Sequence, residues 1–475
     1  METKLVEFLQ ENYGYFDFRD GQKEVILGLL NKQNVLALLA TGTGKSLCYQ
    51  FFAKYTKQRV LIISPLLSLM QDQVEQLRHQ GEKRVIALNS MLTVNKRHEV
   101  LQNLTKYQYV YVSPEFLQNK EILRALKALK WGLVVVDEAH CISQWGHDFR
   151  PHYLQLGFLR EQLQYPLTLA LSATVTFEVQ NDILNSLKLK EQTLIVKRSI
   201  DRANICLACQ TCLNDQQKKE ELQKWVAKLK GPGLIYFSSK KKADQLAEML
   251  QKNLNIACSA YHADLDLKER YKIQRQFIDN QLQVICATSA FGMGINKGDI
   301  AYVIHYHMPA SIENYLQEIG RAGRNGQKSV ALLLYTPTDT NLQVNLMTTT
   351  LPSKKDILTY YRDQQALLDP VKADLIAYYY NNAYTSQTLI EIFEQRRLKK
   401  LKDLVAMKNY VELQKCKRQY LLDYFAEKKT IKHDNNCCQS GERLDLTAFT
   451  TLRQEIKTIK TPTSYQQILK YLFKE

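Results

Sequence analysis

Apolar residues in the first part of the chain come in short runs, separated by longer stretches in which apolar and polar residues mix at helical spacing. The runs lie at residues 35–39, 60–63, 85–88, 109–112, 133–136 and 167–171. Short, continuous apolar runs of this kind are typical of parallel strands that are buried on both faces of a sheet. The pattern therefore predicts an α/β lobe between about Asn34 and Thr174.

A second series of apolar runs follows at residues 233–237, 257–261, 283–287, 301–305 and 330–335. We therefore predict two tandem α/β lobes, each a doubly wound parallel sheet with helices on both faces. The joint between the lobes is expected near residues 197–214, where the first series has ended and the second has not begun.

Beyond Pro337 the strand pattern stops. Residues 354–426 are rich in Leu, Lys, Gln and Tyr at helical spacing, which predicts an appended helical domain. The predicted domains are residues 1–200, 201–340 and 341–445, followed by a tail at residues 446–475 that is too short for a core of its own.

The charge balance changes this picture by suggesting a partner. Lys and Arg outnumber Asp and Glu by 64 to 48, a net charge of +16. Such a surplus indicates a polyanionic partner, although charge alone does not distinguish DNA from RNA or an acidic membrane. We find no signal peptide and no apolar run long enough to span a bilayer, and the ten cysteines are scattered as reduced thiols would be. A cytoplasmic protein that does not enter membranes is therefore expected.

The first apolar run leads into the sequence Thr41-Gly42-Thr43-Gly44-Lys45-Ser46. Glycines let backbone N–H groups point at phosphate oxygens, and the following helix adds the positive end of its dipole. Lys45 would reach the β and γ phosphates of ATP, and Ser46 would ligate Mg²⁺. An ordinary glycine-rich turn is the alternative when the loop is considered alone.

The apolar run at residues 133–136 ends in Asp137-Glu138-Ala139-His140, a sequence of the DEAH-box type. Asp137, at the carboxyl end of a strand, can hold the Mg²⁺. Glu138 is placed to orient or deprotonate the attacking water, so the predicted reaction is hydrolysis. A surface acidic pair after a strand is the alternative, but the two motifs in this order indicate a nucleotide hydrolase.

An N-terminal segment makes the prediction more specific. The pattern Leu9-x₃-Tyr13-Gly14-x₃-Phe18-Arg19-x₂-Gln22 resembles the adenine-recognition motif of RecQ helicases. The resemblance implies two RecA-like lobes, and an ATP-binding role for Tyr13, Arg19 and Gln22, with Gln22 reading the adenine edge and Tyr13 stacking on the base.

Residues 141–151 are similar to the aromatic-rich loop that distinguishes RecQ proteins from other helicases. Trp145 and Phe149 offer faces on which single-stranded bases can stack, and Arg150 offers a phosphate contact. Because this loop is attached to the acidic pair, it can report DNA occupancy to the ATP site.

Further segments resemble helicase motifs. Residues 317–326 contain Arg321 and Arg324, which would stabilise the charge on the transferring phosphate from the facing lobe. Segments that begin at Ser64, Ser113 and Tyr261, the last including His262, are expected to contact DNA or to couple hydrolysis to lobe movement. The segment that starts at Arg202 near the lobe joint is also similar to a RecQ segment.

RecQ proteins usually carry a zinc site in the helical region. Cys416 fits the first part of that pattern, but Ile431 and Asp434 stand where two cysteines are expected. Cys416, His433, Asp434 and Cys437, or Cys438 in place of Cys437, could still bind Zn²⁺, because zinc accepts N and O ligands. A degenerate site that is held by packing alone is the alternative.

The spacing Cys206-x₂-Cys209-x₂-Cys212 also resembles a metal motif. The corresponding RecQ segment begins a strand, in which residues three apart point to opposite faces. We therefore do not expect a metal there.

The resemblance covers about residues 9–335 and implies an ATP-dependent 3′–5′ DNA helicase of recombination and repair, driven by Mg-ATP. The expected partners are single-stranded and forked duplex DNA, with single-strand-binding or repair proteins as further candidates. A short form is expected, since too few residues follow Cys438 for a winged helix or a further helical module. The alternatives are a DNA-dependent ATPase that remodels complexes without unwinding, and an RNA helicase.

Overall fold

A computed structural model describes residues 2–65, 67–143, 151–173, 175–189, 192–292, 297–434, 437–441 and 444–446. Within them the chain forms two seven-stranded sheets and a set of helices near the C-terminus. The strands within each sheet are all parallel. The predicted fold class, two doubly wound lobes followed by helices, is confirmed.

The first lobe contains β1 (Val35–Leu38), β2 (Val60–Ile63), β3 (Val85–Leu88), β4 (Tyr109–Val112), β5 (Leu133–Val136), β6 (Thr168–Ser172) and β7 (Leu194–Lys197). Its helices are α1 (Glu2–Tyr13), α2 (Gln22–Leu30), α3 (Ser46–Thr56), α4 (Leu67–His79), α5 (Val94–Gln102), α6 (Lys120–Lys127), α7 (Leu156–Gln162) and α8 (Phe177–Ser186). Short 3-10 turns lie at Leu104–Lys106, Phe116–Gln118, Ala139–Ile142 and Pro151–Gln155. The strand order is β3-β4-β2-β5-β6-β1-β7. Every residue of β1, β2, β4, β5 and β6 is buried, which explains the continuous apolar runs.

The second lobe contains β8 (Ile205–Thr211), β9 (Gly233–Tyr236), β10 (Cys258–Tyr261), β11 (Val284–Ala287), β12 (Tyr302–His305) and β13 (Ser329–Tyr335). Its helices are α9 (Asp215–Lys228), α10 (Lys240–Leu254), α11 (Leu267–Ile278) and α12 (Ile312–Ile319). The seventh strand, β14 (Cys438–Ser440), comes from the far end of the chain, and the order is β10-β11-β9-β12-β13-β8-β14. Each strand of this sheet takes the place of the strand seven positions earlier in the first lobe.

Five helices follow the second lobe: α13 (Thr338–Thr350), α14 (Lys354–Arg362), α15 (Pro370–Asn381), α16 (Ser386–Glu412) and α17 (Lys417–Tyr424). Helices α13 to α16 enclose a small apolar core of their own. A buried ion pair between Lys218 of α9 and Asp339 of α13, 2.8 Å between Nζ and Oδ2, fixes this helical region to the second lobe. Among the described helices, none combines the length and apolarity that a membrane span requires.

One sequence prediction is corrected. The strand pattern was expected to stop beyond Pro337, yet β14 pairs with β8 and extends the second sheet. β14 was missed because it is three residues long and joins the sheet only through tertiary contact. Within residues 197–214, where the joint between the lobes is expected, β7 of the first sheet ends at Lys197 and β8 of the second sheet begins at Ile205.

Candidate ATP site and cysteine cluster

The glycine-rich loop lies between the carboxyl end of β1 and the start of α3 at Ser46. Gly42 and Gly44 have positive φ angles of 88° and 78°, a region that side chains with a Cβ disfavour. Arg19 Nη1 donates to the Gly42 carbonyl at 2.7 Å. Gln22 Nε2 donates to the carbonyls of Thr43, at 2.8 Å, and Gly44, at 3.1 Å. The N-terminal motif therefore lies directly against the loop and determines its backbone conformation.

The acidic pair follows β5, one strand away from β6 and two from β1 in the sheet. Glu138 has a φ of 47°, and its carboxylate Oε2 lies 3.3 Å from His140 Nδ1, which in turn is 3.1 Å from Ser172 Oγ. Burial and the neighbouring Glu138 raise the pKa of Asp137. Burial alone would raise the pKa of Glu138 too, but Lys45, His140 and the two arginines of the other lobe lower it. Glu138 therefore stays ionised among cations.

The second lobe supplies the two arginines from the end of α12 and the turn that follows it. Arg321 is 4% exposed and donates through Nη1 to the Gly292 carbonyl. Burial and the charge of Arg321 lower the pKa of Arg324. A Cβ placed on Gly42 would lie 2.9 Å from Arg324 Cγ, so the arginine touches the glycine-rich loop across the cleft.

These groups line one cleft of about 300 Å³ between the lobes. The predicted ATP-site residues that line it are Tyr13, Arg19, Gln22, Thr41, Gly42, Gly44, Lys45, Ser46, Asp137, Glu138, Arg321 and Arg324. Thr43 is held behind the lining by Gln22. Within the described part of the chain, Lys45 Nζ and Arg321 Nε are buried without a hydrogen-bond partner. Buried charged groups of this kind are costly unless a ligand compensates them, so the cleft suits a polyanion such as a nucleotide triphosphate.

The residues predicted to contact DNA are more dispersed. Ser64 and Ser113 follow β2 and β4, and both are almost fully buried. His262 follows β10 in the other lobe, where its Nε2 lies 3.0 Å from Asp244 Oδ1. Trp145, Phe149 and Arg150 lie outside the described residues. The structure brings the ATP residues together but gathers no comparable set of DNA contacts among the residues it describes.

Cys416, His433, Cys437 and Cys438 form a compact cluster in which all donor atoms lie within 4.8 Å of one another. The Sγ atom of Cys416 is 3.6 Å from that of Cys437 and 3.8 Å from that of Cys438, and Cys438 Sγ is 3.6 Å from His433 Nδ1. Tetrahedral zinc with Zn–S bonds near 2.3 Å places two sulfurs about 3.8 Å apart. The cluster therefore has the donor set and the spacing of a Cys₃His zinc site.

This geometry replaces the predicted Asp434 by Cys438 as the fourth candidate ligand. The Asp434 carboxylate accepts a hydrogen bond from the backbone N–H of Cys437 at 2.8 Å. The sequence offered Cys437 and Cys438 as alternatives, whereas in the structure both lie beside Cys416. The other spaced cysteines do not gather: Cys206 and Cys209 of β8 face different hydrophobic cores, as a strand requires.

Three protein families match successive parts of the chain. The DEAD/DEAH box helicase family matches residues 19–183, and the helicase conserved C-terminal domain matches residues 217–326. The RecQ zinc-binding family matches residues 380–440, which include all four residues of the cysteine cluster. With the two lobes and the cleft between them, these matches define the class: the protein is a two-lobed, ATP-dependent helicase.

Individual relatives narrow the class. The Bacillus subtilis protein described as "Probable ATP-dependent DNA helicase RecS" is 40% identical over 464 residues, which cover 94% of this chain and 93% of that protein. The ATP-dependent DNA helicase RecQ of Haemophilus influenzae is 38% identical, with 90% of this chain covered and 62% of the relative. RecQ of B. subtilis is 33% identical over 97% of this chain and 70% of the relative. The chain belongs to the RecQ family of ATP-dependent DNA helicases.

Solved structures agree with this fold at low sequence identity. The Mycobacterium smegmatis helicase Lhr, bound to ssDNA and AMP-PNP, superposes with a TM-score of 0.59 at 21% identity over 73% of this chain and 50% of its own. The S. cerevisiae protein Dbp5, bound to RNA and ADP BeF3, gives 0.57 at 19% identity over 73% of this chain and 90% of its own. These similarities support the two-lobed architecture.

Proposed function

We propose that this protein is a 3′–5′ DNA helicase that unwinds forked duplex DNA in recombination and repair, driven by Mg-ATP hydrolysis between its lobes. The observation that carries the proposal is the cleft, where the glycine-rich loop and acidic pair of one lobe face Arg321 and Arg324 of the other. A site divided between two lobes is complete only when they close, so hydrolysis can drive a cycle of closing and opening. Membership of the RecQ family supports the proposed 3′–5′ direction of unwinding and the proposed role in recombination and repair.

In this proposal, Lys45 binds the β and γ phosphates, and the backbone N–H groups of residues 41–46 surround them. The Ser46 hydroxyl and the Asp137 carboxylate would hold Mg²⁺, which neutralises phosphate charge when it is bound. Glu138 orients the attacking water and accepts its proton, and the lowered pKa of Glu138 keeps the carboxylate ionised for that task. Arg321 and Arg324 stabilise the charge that develops on the γ phosphate.

The N-terminal motif would bind the other end of the nucleotide. Tyr13 and Gln22 line the cleft, and we propose that Tyr13 stacks on adenine while Gln22 reads its edge. Gln22 also donates hydrogen bonds to carbonyls of the glycine-rich loop. The same side-chain amide would therefore link recognition of the base to the conformation of the phosphate site.

We propose that Cys416, His433, Cys437 and Cys438 bind one Zn²⁺, since the distances between their donor atoms fit tetrahedral coordination. The ion would link the start of α17 to the start of β14. It therefore fastens the helical region to the second lobe and has no part in the hydrolysis.

DNA is proposed to contact Trp145, Phe149 and Arg150, together with the segments that contain Ser64, Ser113 and His262. The net charge of +16 and the ssDNA in the Lhr structure support this partner. Single-strand-binding or repair proteins are further proposed partners, and we expect the protein to act in the cytoplasm.

The function is tested by measuring unwinding of a forked DNA duplex beside ATPase stimulation by single-stranded DNA and by single-stranded RNA. We expect DNA-stimulated ATPase and unwinding of forks with a 3′ single-stranded arm. Stimulation by DNA without unwinding of any fork would instead identify a remodelling translocase. Stronger stimulation by RNA than by DNA would identify an RNA helicase, a name that one mimivirus relative at 34% identity carries.

A further inference from the structure

The carbonyl groups of the glycine-rich loop are held from behind by side chains. Arg19 donates a hydrogen bond to the carbonyl of Gly42, and Gln22 donates to those of Thr43 and Gly44. In a trans peptide the C=O and the following N–H point in opposite directions. A donor that fixes a carbonyl behind the loop therefore turns the next N–H away from that donor, toward the cleft. All three of these bonds come from the first lobe.

The first carbonyl of the loop, that of Thr41, is held by a residue outside the first lobe. Arg202 Nη1 donates to it at 3.1 Å. Arg202 lies three residues before the start of β8, the strand that opens the second lobe. The bond thus fixes the peptide whose N–H belongs to Gly42, and it does so across the gap between the lobes.

The same guanidinium also binds the segment that carries the two arginines. Arg202 Nη2 donates to the carbonyls of Gly323, at 2.8 Å, and Ala322, at 3.1 Å, while Nη1 reaches that of Gly320 at 3.4 Å. These three carbonyls belong to the turn from Gly320 to Gly323 that positions Arg321 and Arg324. One side chain therefore joins the phosphate-facing turns of both lobes.

Arg202 is itself held in place by the helical region. Arg418 of α17 donates to the Arg202 carbonyl at 3.0 Å and to Asp201 Oδ1 at 2.7 Å. It also donates to the carbonyl of Cys437, a member of the cysteine cluster, at 3.1 Å. Arg202 is thus supported on the side away from the cleft.

We propose that Arg202 is a positioning residue for hydrolysis. When the lobes close, it fixes the glycine-rich loop relative to the arginine turn, the turn from Gly320 to Gly323 that positions Arg321 and Arg324. Its bond to Thr41 crosses the lobes, so that bond can exist only in the closed arrangement, whereas the bonds from Arg19 and Gln22 persist when the lobes part. Arg202 touches no reacting atom; it acts through the backbone of Gly42 and of the arginine turn. The inference rests on the proposed ATP site.

The predicted effect is a loss of turnover that exceeds the loss of nucleotide binding. Arg202→Lys keeps the charge but cannot span carbonyls on both lobes with one planar group. We expect kcat to fall by about tenfold to a hundredfold, since small misplacements of reacting groups have effects of that size. The Kd for ATP should stay within about threefold of the wild-type value, because the contacts between ATP and the first lobe are retained in the variant.

The experiment measures kcat with saturating single-stranded DNA, and the Kd of a fluorescent ATP analogue by titration, for wild type, Arg202→Lys, Arg202→Ala and Arg275→Lys. Arg275 is a matched control, because it lies exposed on α11 and its ion pair is with Asp279, at the end of the same helix. If Arg202→Ala does not fold, the kcat and Kd of Arg202→Lys alone test the positioning role of Arg202. The inference is overturned if kcat of Arg202→Lys stays within about twofold of wild type, or if Kd weakens as much as kcat falls.

A Lys45→Ala variant in the same series separates this inference from the proposed function. Full turnover in Lys45→Ala would mean that the ATP site itself is misassigned, and would overturn both. An inactive Lys45→Ala beside a fully active Arg202→Lys would overturn only the role of Arg202.

Discussion

The two lobes have the same strand order but use it differently. In the first lobe, β1 runs into the glycine-rich loop and α3. In the second, β8 occupies the corresponding position and runs into an ordinary turn, where the Asn214 side chain caps α9 by accepting from the backbone N–H of Gln217 at 3.0 Å. The shared topology thus reflects how parallel sheets are built. The chemistry depends on which residues follow the central strands.

The lobes also differ in how the seventh strand is supplied. β7 follows the first lobe's own last helix, α8, after a short connection. β14 arrives only after the five helices from α13 to α17, and its first residue, Cys438, belongs to the cysteine cluster. The second sheet is therefore completed by the helical region. The cysteine cluster therefore supports the lobe that provides the arginines.

The difference between the lobes is tested most directly by altering the segments that follow β1 and β8. Lys45→Ala should lower kcat for ATP by about a thousandfold or more, because the phosphate charge loses a preorganised cation. Asn214→Ala, in the second lobe, should leave kcat unchanged and lower the free energy of unfolding by about 1 kcal/mol through loss of a helix cap. ATPase rates and thermal unfolding measure both. Comparable losses of activity in the two variants would contradict the proposed asymmetry.

Glu138→Gln tests whether nucleotide binding and hydrolysis depend on different residues of the first lobe. The amide cannot accept a proton, so kcat should fall by about a hundredfold to ten-thousandfold while a fluorescent ATP analogue still binds. Glu121→Gln, on the exposed face of α6, is the control and should behave as wild type. If Glu138→Gln abolished nucleotide binding, Glu138 would be needed to build the site rather than for hydrolysis.

Trp145→Ala tests whether the first lobe also senses DNA. Loss of one stacking platform, worth about 1–3 kcal/mol per base, should weaken single-stranded DNA binding by about fivefold to a hundredfold and reduce DNA stimulation of the ATPase. The ATPase rate without DNA should not change. Undiminished stimulation by DNA would argue against a coupling role for this loop.

The smallest effect on catalysis is expected at the cysteine cluster. Cys438→Ala should reduce bound zinc from about one ion per chain to less than half, whereas Asp434→Ala should retain it. Metal analysis of the purified variants, with Cys206→Ala as a control from β8, decides between the two ligand sets. Zinc retained in Cys438→Ala but lost in Asp434→Ala would restore the ligand set that spacing alone suggests.

Local sequence predicted much of the molecule. The buried strands β1 to β6 and β9 to β13 were readable because parallel strands covered on both faces need continuous apolar residues. The residues of the glycine-rich loop and the acidic pair were also readable, because they follow such strands directly. Cysteines and Gln210 interrupt the apolar run of β8, so this strand was expected only from the resemblance to RecQ proteins.

What the sequence by itself determined is therefore the two lobes, the position of the glycine-rich loop and the family. Each depends on residues that are neighbours along the chain, and short-range spacing is visible in sequence. The tertiary structure alone decided that Cys437 and Cys438 both lie beside Cys416 and His433, that β14 completes the second sheet, and that Arg202 binds Thr41. These contacts join positions that are distant in sequence. No local pattern encodes them, because they form only when separately folded elements pack together.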